Sequence, residues 1–270
     1  MKIFIVIVAG LVILAGIGWL GLRIKPKPFA PYPGQTPELQ TMPLPGGLPA
    51  PVERYYRQLY GDQIPVITSA VVSGRATIAP FGFDLPARFR FTHEAGQGYR
   101  HYIEATWFGI PVMKVNEWYL DGHGRLELPI GTVEGPKTNQ GANLGLWAES
   151  ANLPAIWLID ERVRWQAVDD ETALLFVPFG AEEQQFVARF DPENGRLRLL
   201  EAMRYRDENS DKILWLAATQ PSETIEAAGA ALETVGTATW VDQGKPWATF
   251  ITEEIVYNVD VTDYIRASGP

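Results

Sequence analysis

The longest hydrophobic pattern in the chain is an unbroken apolar run over Ile3–Leu22, with basic residues on both sides. About twenty apolar residues at a rise of about 1.5 Å each cover the roughly 30 Å hydrocarbon layer of a membrane. A cleavable signal peptide needs an apolar core of only about 7–15 residues. The run therefore predicts a transmembrane helix over residues 1–24, although the small residues Ala9 and Ala15 leave cleavage as a signal sequence open.

The basic residues around this run decide its orientation only weakly. Lys2 precedes the run and Arg23, Lys25 and Lys27 follow it, whereas the cytoplasmic flank usually carries the excess of positive charge. By count the body would be cytoplasmic, but a very short basic N-terminus before a long apolar run is also typical of an uncleaved export signal. We predict a single-pass membrane protein with an extracytoplasmic body.

Prolines recur through the next segment, from Pro26 to Pro51, between small and polar residues. Because proline fixes φ and has no N–H to donate, this composition disfavours helices and central strands. It predicts an extended, polyproline-like linker over residues 25–50 that holds the body away from the bilayer. A docking motif for a partner that recognises proline-rich peptides is the alternative.

The body begins with a helical pattern. Pro51 suits the first turn of a helix and Gly61 suits its end. Between them, Val52, Tyr55 and Leu59 recur at the spacing that places them on one face. This pattern predicts a short amphipathic helix.

From Val66 onward apolar and polar residues mostly alternate, which is the period of a half-buried β-strand. Phe89 and Phe91, for example, alternate with Arg90 and Thr92, whose side chains we expect to face water. Further strands are predicted at Tyr99–Trp107, Val112–Leu120, Arg125–Ile130, Val163–Val168, Thr172–Val177, Glu183–Phe190, Arg196–Arg206, Lys212–Ala218, Ala238–Val241 and Trp247–Val259.

Short turn sequences separate several of these strands. Asp121-Gly122 and Asn194-Gly195 tolerate positive φ and can close hairpins, as can Asp242-Gln243-Gly244. Strands joined by hairpins are antiparallel. The pattern therefore predicts an antiparallel sheet that is mostly a meander.

One helical segment interrupts the strands. Over Ala142–Ile159, Leu144 and Trp147 fall on one face before Pro154 kinks the helix. A single helix in a long antiparallel sheet needs a face to pack on. We therefore predict a mainly β fold in which residues 51–270 form one curved antiparallel half-barrel with one principal packed helix, preceded by the transmembrane helix.

Composition narrows the possible partners. The net charge is −9, and the body has no basic stripe with interleaved aromatic residues, which argues against nucleic acid as a partner. The same charge argues against flat adhesion to anionic lipid. We expect the N-terminal helix, rather than surface charge, to hold the protein at the membrane.

Catalytic motifs are lacking in the sequence. The chain has no cysteine, no G-x-S-x-G motif and no dinucleotide or phosphate loop. His93, His101 and His123 do not have the spacing of metal ligands, so structural or surface roles are predicted for them. Glu149 and Arg204 are placed to pair inside the half-barrel. The sequence predicts no enzyme, no metal and no cofactor.

Wide aromatic side chains are the strongest candidates for ligand contact. A half-barrel lined by them would suit acyl chains or another flat apolar ligand. On this basis Trp107, Trp118, Trp147, Trp165 and Trp215 are predicted to bind the ligand. Packing of the hydrophobic core uses the same residue type, and this alternative stays open.

Four segments resemble an uncharacterised bacterial domain family of unknown function. They are Leu48–Tyr55, Trp118–Gly124, Leu146–Pro154 and Val163–Trp165, within a similarity that extends over roughly Leu48–Tyr257. The resemblance carries no assigned catalysis. It implies a fold similar to the periplasmic lipoprotein carriers, whose half-barrel holds acyl chains.

These patterns together predict a membrane-anchored, non-catalytic binder or carrier of an apolar ligand such as a lipid. A structural or assembly subunit of a membrane protein complex is the main alternative, and an enzyme is the third. A cavity wider than a side chain would favour the carrier, and an exposed aromatic patch without a cavity would favour the subunit. A polar cleft with shifted carboxylates would favour the enzyme.

Overall fold

The structure, a computed structural model, describes residues 2–80, 82–267 and 269. Helix α1 (Lys2–Arg23) is long and apolar enough to cross a membrane. Its apolar side chains are mostly exposed, Ile3 being 79% and Leu14 65% accessible. The predicted N-terminal apolar helix is therefore present.

Fifteen strands are present in the described part of the chain. Their bounds are β1 (Thr41–Pro43), β2 (Gln63–Pro65), β3 (Ser69–Ile78), β4 (Leu85–Glu94), β5 (Gly98–Trp107), β6 (Ile110–Leu120), β7 (His123–Leu128), β8 (Gly131–Glu134), β9 (Arg164–Ala167), β10 (Thr172–Phe179), β11 (Glu182–Phe190), β12 (Leu197–Tyr205), β13 (Lys212–Ala227), β14 (Ala230–Trp240) and β15 (Pro246–Tyr257). Strands β1 and β2 pair with each other, and their pairing was not predicted.

The other thirteen strands form one open antiparallel sheet in the order β8-β7-β6-β5-β4-β3-β15-β14-β13-β12-β11-β10-β9. Strands β3 to β8 form one meander and β9 to β15 another. The pairing of β15 with β3, in which Val256 lies opposite Val71, joins the two into a single sheet. The predicted mainly β, antiparallel and largely meandering fold is confirmed.

The first helix of the body matches its pattern, but the second does not. Helix α2 (Ala50–Tyr60) begins next to Pro51 and is followed by Gly61, as predicted. The predicted helix Ala142–Ile159 is instead divided. Its parts are α3 (Pro136–Glu149), a 3₁₀ turn (Ser150–Asn152) and the short α4 (Ile156–Ile159).

Helix α3 begins earlier than predicted because polar residues in its first turns bind the sheet. Asn139 Oδ1 accepts a hydrogen bond from the backbone N–H of Gly124 at 2.8 Å. Gln140 Nε2 donates to the carbonyl of Met203 at 3.0 Å. When helices are predicted from the spacing of apolar residues, such polar side chains are typical of a loop. Their helical conformation is stabilised by tertiary contacts instead.

Helix α3 lies on the concave side of the sheet and packs against both meanders. It contacts β7 in one meander and β12 in the other, although seven strands of the sheet order separate these two. The approach to β7 is close. A Cβ on Gly124 would lie 2.7 Å from the Cβ of Ala142. The sheet therefore curves around α3.

The outer face of β4 is not open to water, so the expected exposure of Arg90 and Thr92 is wrong. Both residues are buried, because the proline-rich segment and the 3₁₀ turn Tyr264–Arg266 lie on this face. The ring of Phe29 packs against Tyr102, with centroids 5.7 Å apart. Arg90 donates a hydrogen bond to the carbonyl of Ala30.

The linker was predicted to be an extended segment, and these contacts show that it also packs on the body. Residues 24–40 contain no helix or strand, in keeping with their proline content. Further contacts follow towards β1. Thr36 Oγ1 accepts a hydrogen bond from the backbone N–H of Tyr257 at 2.9 Å, and Tyr32 donates to the carbonyl of Asp260 at 3.1 Å. The segment is therefore held against the body at several points.

Candidate functional site

A cavity of about 180 Å³ lies between helix α2, the end of α3 and the concave face of the sheet. The side chains of Phe89, Phe91, Leu200, Trp215 and Phe250 contribute much of its apolar wall. An engineered apolar cavity of roughly 150 Å³ accepts benzene. This cavity therefore has room for a small apolar ligand or for part of a longer one.

Three charged side chains also reach the cavity wall: Glu149, Arg196 and Glu233. Glu233 is neutralised by Arg198, at 2.6 Å, and lies 3.7 Å from Arg196. Glu149 has neither an arginine nor a lysine within ion-pair range among the described residues. The predicted pairing of Glu149 with Arg204 is wrong, because the carboxylate turns towards two histidines and Arg204 stacks on an indole ring instead.

The five tryptophans that were predicted to bind a ligand lie in different parts of the structure. Of these, Trp215 lies on the cavity wall. Trp147 is buried in the core on α3. Trp118 and Trp165 lie on β6 and β9, outside the wall, and Trp107 is 42% exposed at the end of β5. Their contact with a ligand stays a prediction.

Next to the cavity, β4 and β5 bring two histidines together on the concave face. His93 lies opposite Tyr99 in the strand register, and His101 lies opposite Phe91. The two histidines are therefore diagonal neighbours on one face. Their ring centroids are 5.9 Å apart. Glu149, the last residue of α3, completes the cluster from the helix side.

The three residues place their ligand atoms close together. Glu149 Oε2 lies 2.5 Å from His101 Nε2 and 3.4 Å from His93 Nε2. One ligand atom from each residue falls within 4.8 Å of the other two. Both histidine side chains are almost fully buried, while a quarter of the Glu149 side chain is exposed. Glu149 is thus shared between this cluster and the cavity wall.

A second carboxylate faces the other nitrogen of His101. Glu117 on β6 lies opposite His101 in the register, with Oε2 3.8 Å from His101 Nδ1. Tyr99 donates a hydrogen bond to Glu117 Oε1 at 2.6 Å. The Tyr99 ring also stacks on His101, with centroids 3.9 Å apart. These contacts fix both the position of Glu117 and the plane of the His101 ring.

The electrostatic environment shifts the pKa values of the two histidines in opposite directions. Burial alone would lower the pKa of His101, but the negative charges of Glu149 and Glu117 outweigh it and raise the pKa to about 9. Burial lowers the pKa of His93 to about 3, and the charge of His101 adds to this effect. At neutral pH, His101 is therefore cationic and His93 is neutral.

The two carboxylates are also shifted in opposite directions. Burial alone would raise the pKa of Glu117, but its interaction with His101 and the charge of Arg204 lower the pKa to about 2. Burial raises the pKa of Glu149, and the charge of His101 opposes this shift. We place the proton of the close pair on His101, because Glu117 stabilises the imidazolium from its other side. Shifts of this kind are common at functional sites but also occur in structural ion pairs.

The sequence analysis missed this cluster, although part of the signal is present. His93 and His101 lie on two predicted strands separated by a short turn, and a hairpin register would have placed them as diagonal neighbours. The position of Glu149 has no such signal, because the sequence does not determine which strands lie under the end of α3. The purely structural role predicted for the two histidines overlooked their pairing with a carboxylate.

Comparison with known proteins identifies the family. The model of a family of unknown function, DUF6544, matches residues 38–251. The chain therefore belongs to this family, as the resemblance in its sequence predicted. No protein of curated function matches the chain.

Several solved structures are similar at low sequence identity. A LolA superfamily protein from Nitrosomonas europaea matches with a TM-score of 0.48 and 12% identity, over 82% of this chain and 99% of that one. A DUF1329 family protein from Desulfovibrio piger gives 0.44 and 13%, over 75% and 91%. A putative outer membrane lipoprotein-sorting protein domain from Vibrio parahaemolyticus gives 0.42 and 10%, over 79% and 92%. Similarity at this level does not extend to function.

Proposed function

We propose that this family member binds or carries an apolar ligand, such as a lipid, beside a membrane. The cavity of about 180 Å³ between α2, α3 and the concave face supports this function. Its aromatic and aliphatic wall would be removed from water together with the apolar part of the ligand, which is the main source of affinity in such sites. A cavity of this kind, although partly open to solvent, favours the carrier over the structural-subunit alternative.

Helix α1 supplies the membrane attachment in this proposal. It is long enough to span the bilayer, and its apolar side chains find few partners in the body. Leaving such a surface in water is unfavourable, whereas insertion into the bilayer removes it from water. Retention of the helix as an anchor, with the body outside the cytoplasm, is part of the proposal.

The tip of the β5–β6 hairpin supports the same arrangement. Trp107 Nε1 donates a hydrogen bond to the carbonyl of Gly18 at 2.9 Å, and the backbone N–H of Phe108 donates to Gly21 at 2.9 Å. Phe108 has a φ of 53°, a conformation that is costly for a bulky residue. Ile110 is 66% exposed beside them. Aromatic and apolar side chains at the end of a spanning helix are typical of the membrane interface.

Binding of a fluorescent fatty acid to full-length protein in amphipol tests the proposed function. Saturable binding above that of protein-free amphipol is expected. Ala217 is a half-buried residue on the cavity wall. Ala217→Phe fills part of the cavity and is expected to weaken binding at least about tenfold, because a cavity filled by a side chain excludes the ligand.

The matched control is Ala181→Phe, which makes the same change at an exposed position in the β10–β11 turn. It should bind the fatty acid as the parent does. The proposal fails if the parent shows no saturable binding. Equal binding by the parent and Ala217→Phe would place the ligand elsewhere. Native mass spectrometry of the same sample would show whether a lipid or another subunit copurifies.

A further inference from the structure

The cluster next to the cavity contains polar atoms whose hydrogen-bonding capacity is not used. His93 Nδ1 and Nε2, His101 Nε2 and Glu149 Oε2 are all buried and make no hydrogen bond of ordinary geometry within the described structure. Buried polar atoms in native proteins are nearly always satisfied. The 2.5 Å contact between His101 and Glu149 accounts for one pair of these atoms by charge attraction. It does not account for His93.

Two imidazoles and one carboxylate form a donor set that first-row transition metals prefer. In a tetrahedral zinc site with bonds of about 2.0–2.1 Å, neighbouring ligand atoms lie about 3.3 Å apart. The 3.4 Å separation of His93 Nε2 and Glu149 Oε2 is close to this value. Three protein ligands would leave further coordination positions open, as in catalytic rather than structural zinc sites.

The surroundings of the cluster are also those of a metal site. A histidine ligand usually directs its second ring nitrogen towards a carboxylate, which fixes the ring and increases its basicity. Glu117 occupies this place beside His101 Nδ1 and is itself held by Tyr99. Both histidines lie on paired strands of the sheet rather than on loops. The two histidines are therefore held in place before any ion binds, whereas Glu149 Oε2 must move away from His101 Nε2, because their 2.5 Å separation is shorter than that of two neighbouring zinc ligands.

The charges are complementary to a divalent cation. In the described structure, no arginine or lysine makes an ion pair with Glu117 or Glu149, although the charge of Arg204 acts on both carboxylates from a longer distance. A divalent ion bound to two neutral imidazoles would be balanced by these two carboxylates. A simple ion pair between His101 and Glu149 would need neither a second histidine nor a second carboxylate.

We propose that His93, His101 and Glu149 bind one divalent first-row transition metal ion, with Zn²⁺ as the reference ion, and that Glu117 positions His101 as a ligand. The ion lies inside the half-barrel beside the ligand cavity, and Glu149 belongs to both sites. This inference goes beyond the carrier function and does not depend on it, since the ion binds without an apolar ligand.

Titration of chelator-treated, full-length protein in amphipol with Co²⁺ tests the site. We expect saturation at one equivalent, with a visible absorption spectrum of cobalt bound by nitrogen and oxygen ligands, and displacement by Zn²⁺. His93→Gln and Glu149→Gln should each weaken Zn²⁺ binding by at least about 100-fold. Glu117→Gln should weaken it by about 10–100-fold, the usual effect of losing an outer carboxylate.

The matched control is His123→Gln, because His123 is an exposed histidine outside the cluster. It should leave Co²⁺ affinity, stoichiometry and spectrum unchanged. Circular dichroism and thermal unfolding show whether each variant folds. If His93→Gln does not fold, Glu149→Gln, at a partly exposed position, tests the site instead. The proposal is overturned if folded parent protein shows no saturable Co²⁺ spectrum. It is also overturned if Glu149→Gln binds as the parent does. Fatty acid binding without a cobalt spectrum would leave the carrier function standing and remove the metal site alone.

Discussion

Glu149 Oε2 lies 2.5 Å from His101 Nε2, so the C-terminal end of α3 is joined by charge to the centre of β5. The chain between the two residues forms three strands and the whole of α3. A contact between elements so far apart in sequence is a tertiary link, and its strength depends on the protonation of His101.

Stability should decrease as the pH rises above neutrality in metal-free protein. The pKa of His101 is raised from 6.5 to about 9, so the folded state binds its proton more tightly than the unfolded state. The stabilisation is fully present below about pH 6.5 and is lost as the pH approaches 9. Thermal unfolding of chelator-treated protein between these values should show the loss, and His101→Gln should reduce it. An equal loss in the parent and His101→Gln would contradict the assignment, and His123→Gln serves as the control.

His93 should have the opposite effect on the acid side. Its pKa is lowered from 6.5 to about 3, so the unfolded state binds the proton more tightly. The stabilisation from neutral His93 is therefore present above about pH 6.5 and is lost as the pH falls towards 3. His93→Phe should make the unfolding temperature less sensitive to pH between 6.5 and 4. Unchanged sensitivity in this variant would show that His93 is not the group responsible.

Truncation of Trp147 should destabilise the body strongly. Its side chain is 1% exposed, and its loss leaves a large cavity between α3 and the β4–β5 hairpin. We expect Trp147→Ala to lower the free energy of unfolding by about 3–5 kcal/mol. Trp107→Ala makes the same change at a residue that is 42% exposed and should cost less than about 1 kcal/mol. Chemical unfolding followed by circular dichroism measures both, and similar losses would contradict the packing described for Trp147.

The proline-rich segment should resist proteolysis near Phe29. The Phe29 ring packs on Tyr102, and the guanidinium of Arg88 lies 4.4 Å above it. Chymotrypsin should therefore cleave after Phe29 more slowly in folded than in unfolded protein. Arg90→Gln removes the hydrogen bond to Ala30 and should increase the cleavage rate.

Arg164→Gln is the control for this experiment, since Arg164 lies over Phe176 on another part of the sheet. It should not change cleavage after Phe29. Rapid cleavage in the folded parent, at the rate of the unfolded chain, would mean that the segment is a free linker as the proline pattern first predicted.

The hairpin tip should lie in the bilayer interface. In liposomes that contain phospholipid brominated near the top of the acyl chain, Trp107 should be quenched. Trp107→Phe should therefore reduce total tryptophan quenching, whereas Trp118→Phe should not, because Trp118 lies on β6 away from the tip. Equal changes in tryptophan quenching in the two variants would show that the hairpin tip does not lie in the interface.

The sequence predicted the strands well where alternation was regular and turns contained the usual residues. The Asp121-Gly122 turn is one example, with φ of 54° and 82°. The second half of β13 and most of β14 were missed because the first residue of their turn, at a φ of 54°, is Ala228, and only the second, Gly229, is of a usual turn type. Nothing local distinguishes such an alanine from one in an ordinary strand or helix.

The candidate site was less predictable than the fold for a different reason. The register of β4 and β5 is a local property, so the proximity of His93 and His101 follows from a short hairpin. The contributions of Glu149 and of the cavity wall depend on how α3 lies across the sheet. That position is set by contacts such as the one between Gln140 and Met203, which have no pattern in the sequence around either residue.

The proline-rich segment limits how far the body can lie from helix α1. Helix α1 ends at Arg23, and the chain already packs on the sheet at Phe29. Six residue steps at about 3.5 Å each allow at most about 20 Å between the two points. If α1 stays in the membrane as proposed, a carrier held at this distance cannot ferry its cargo to a second membrane. It would act as a stationary receiver, so that cargo must be delivered to it, or collected from it, by the bilayer beneath or by a mobile protein.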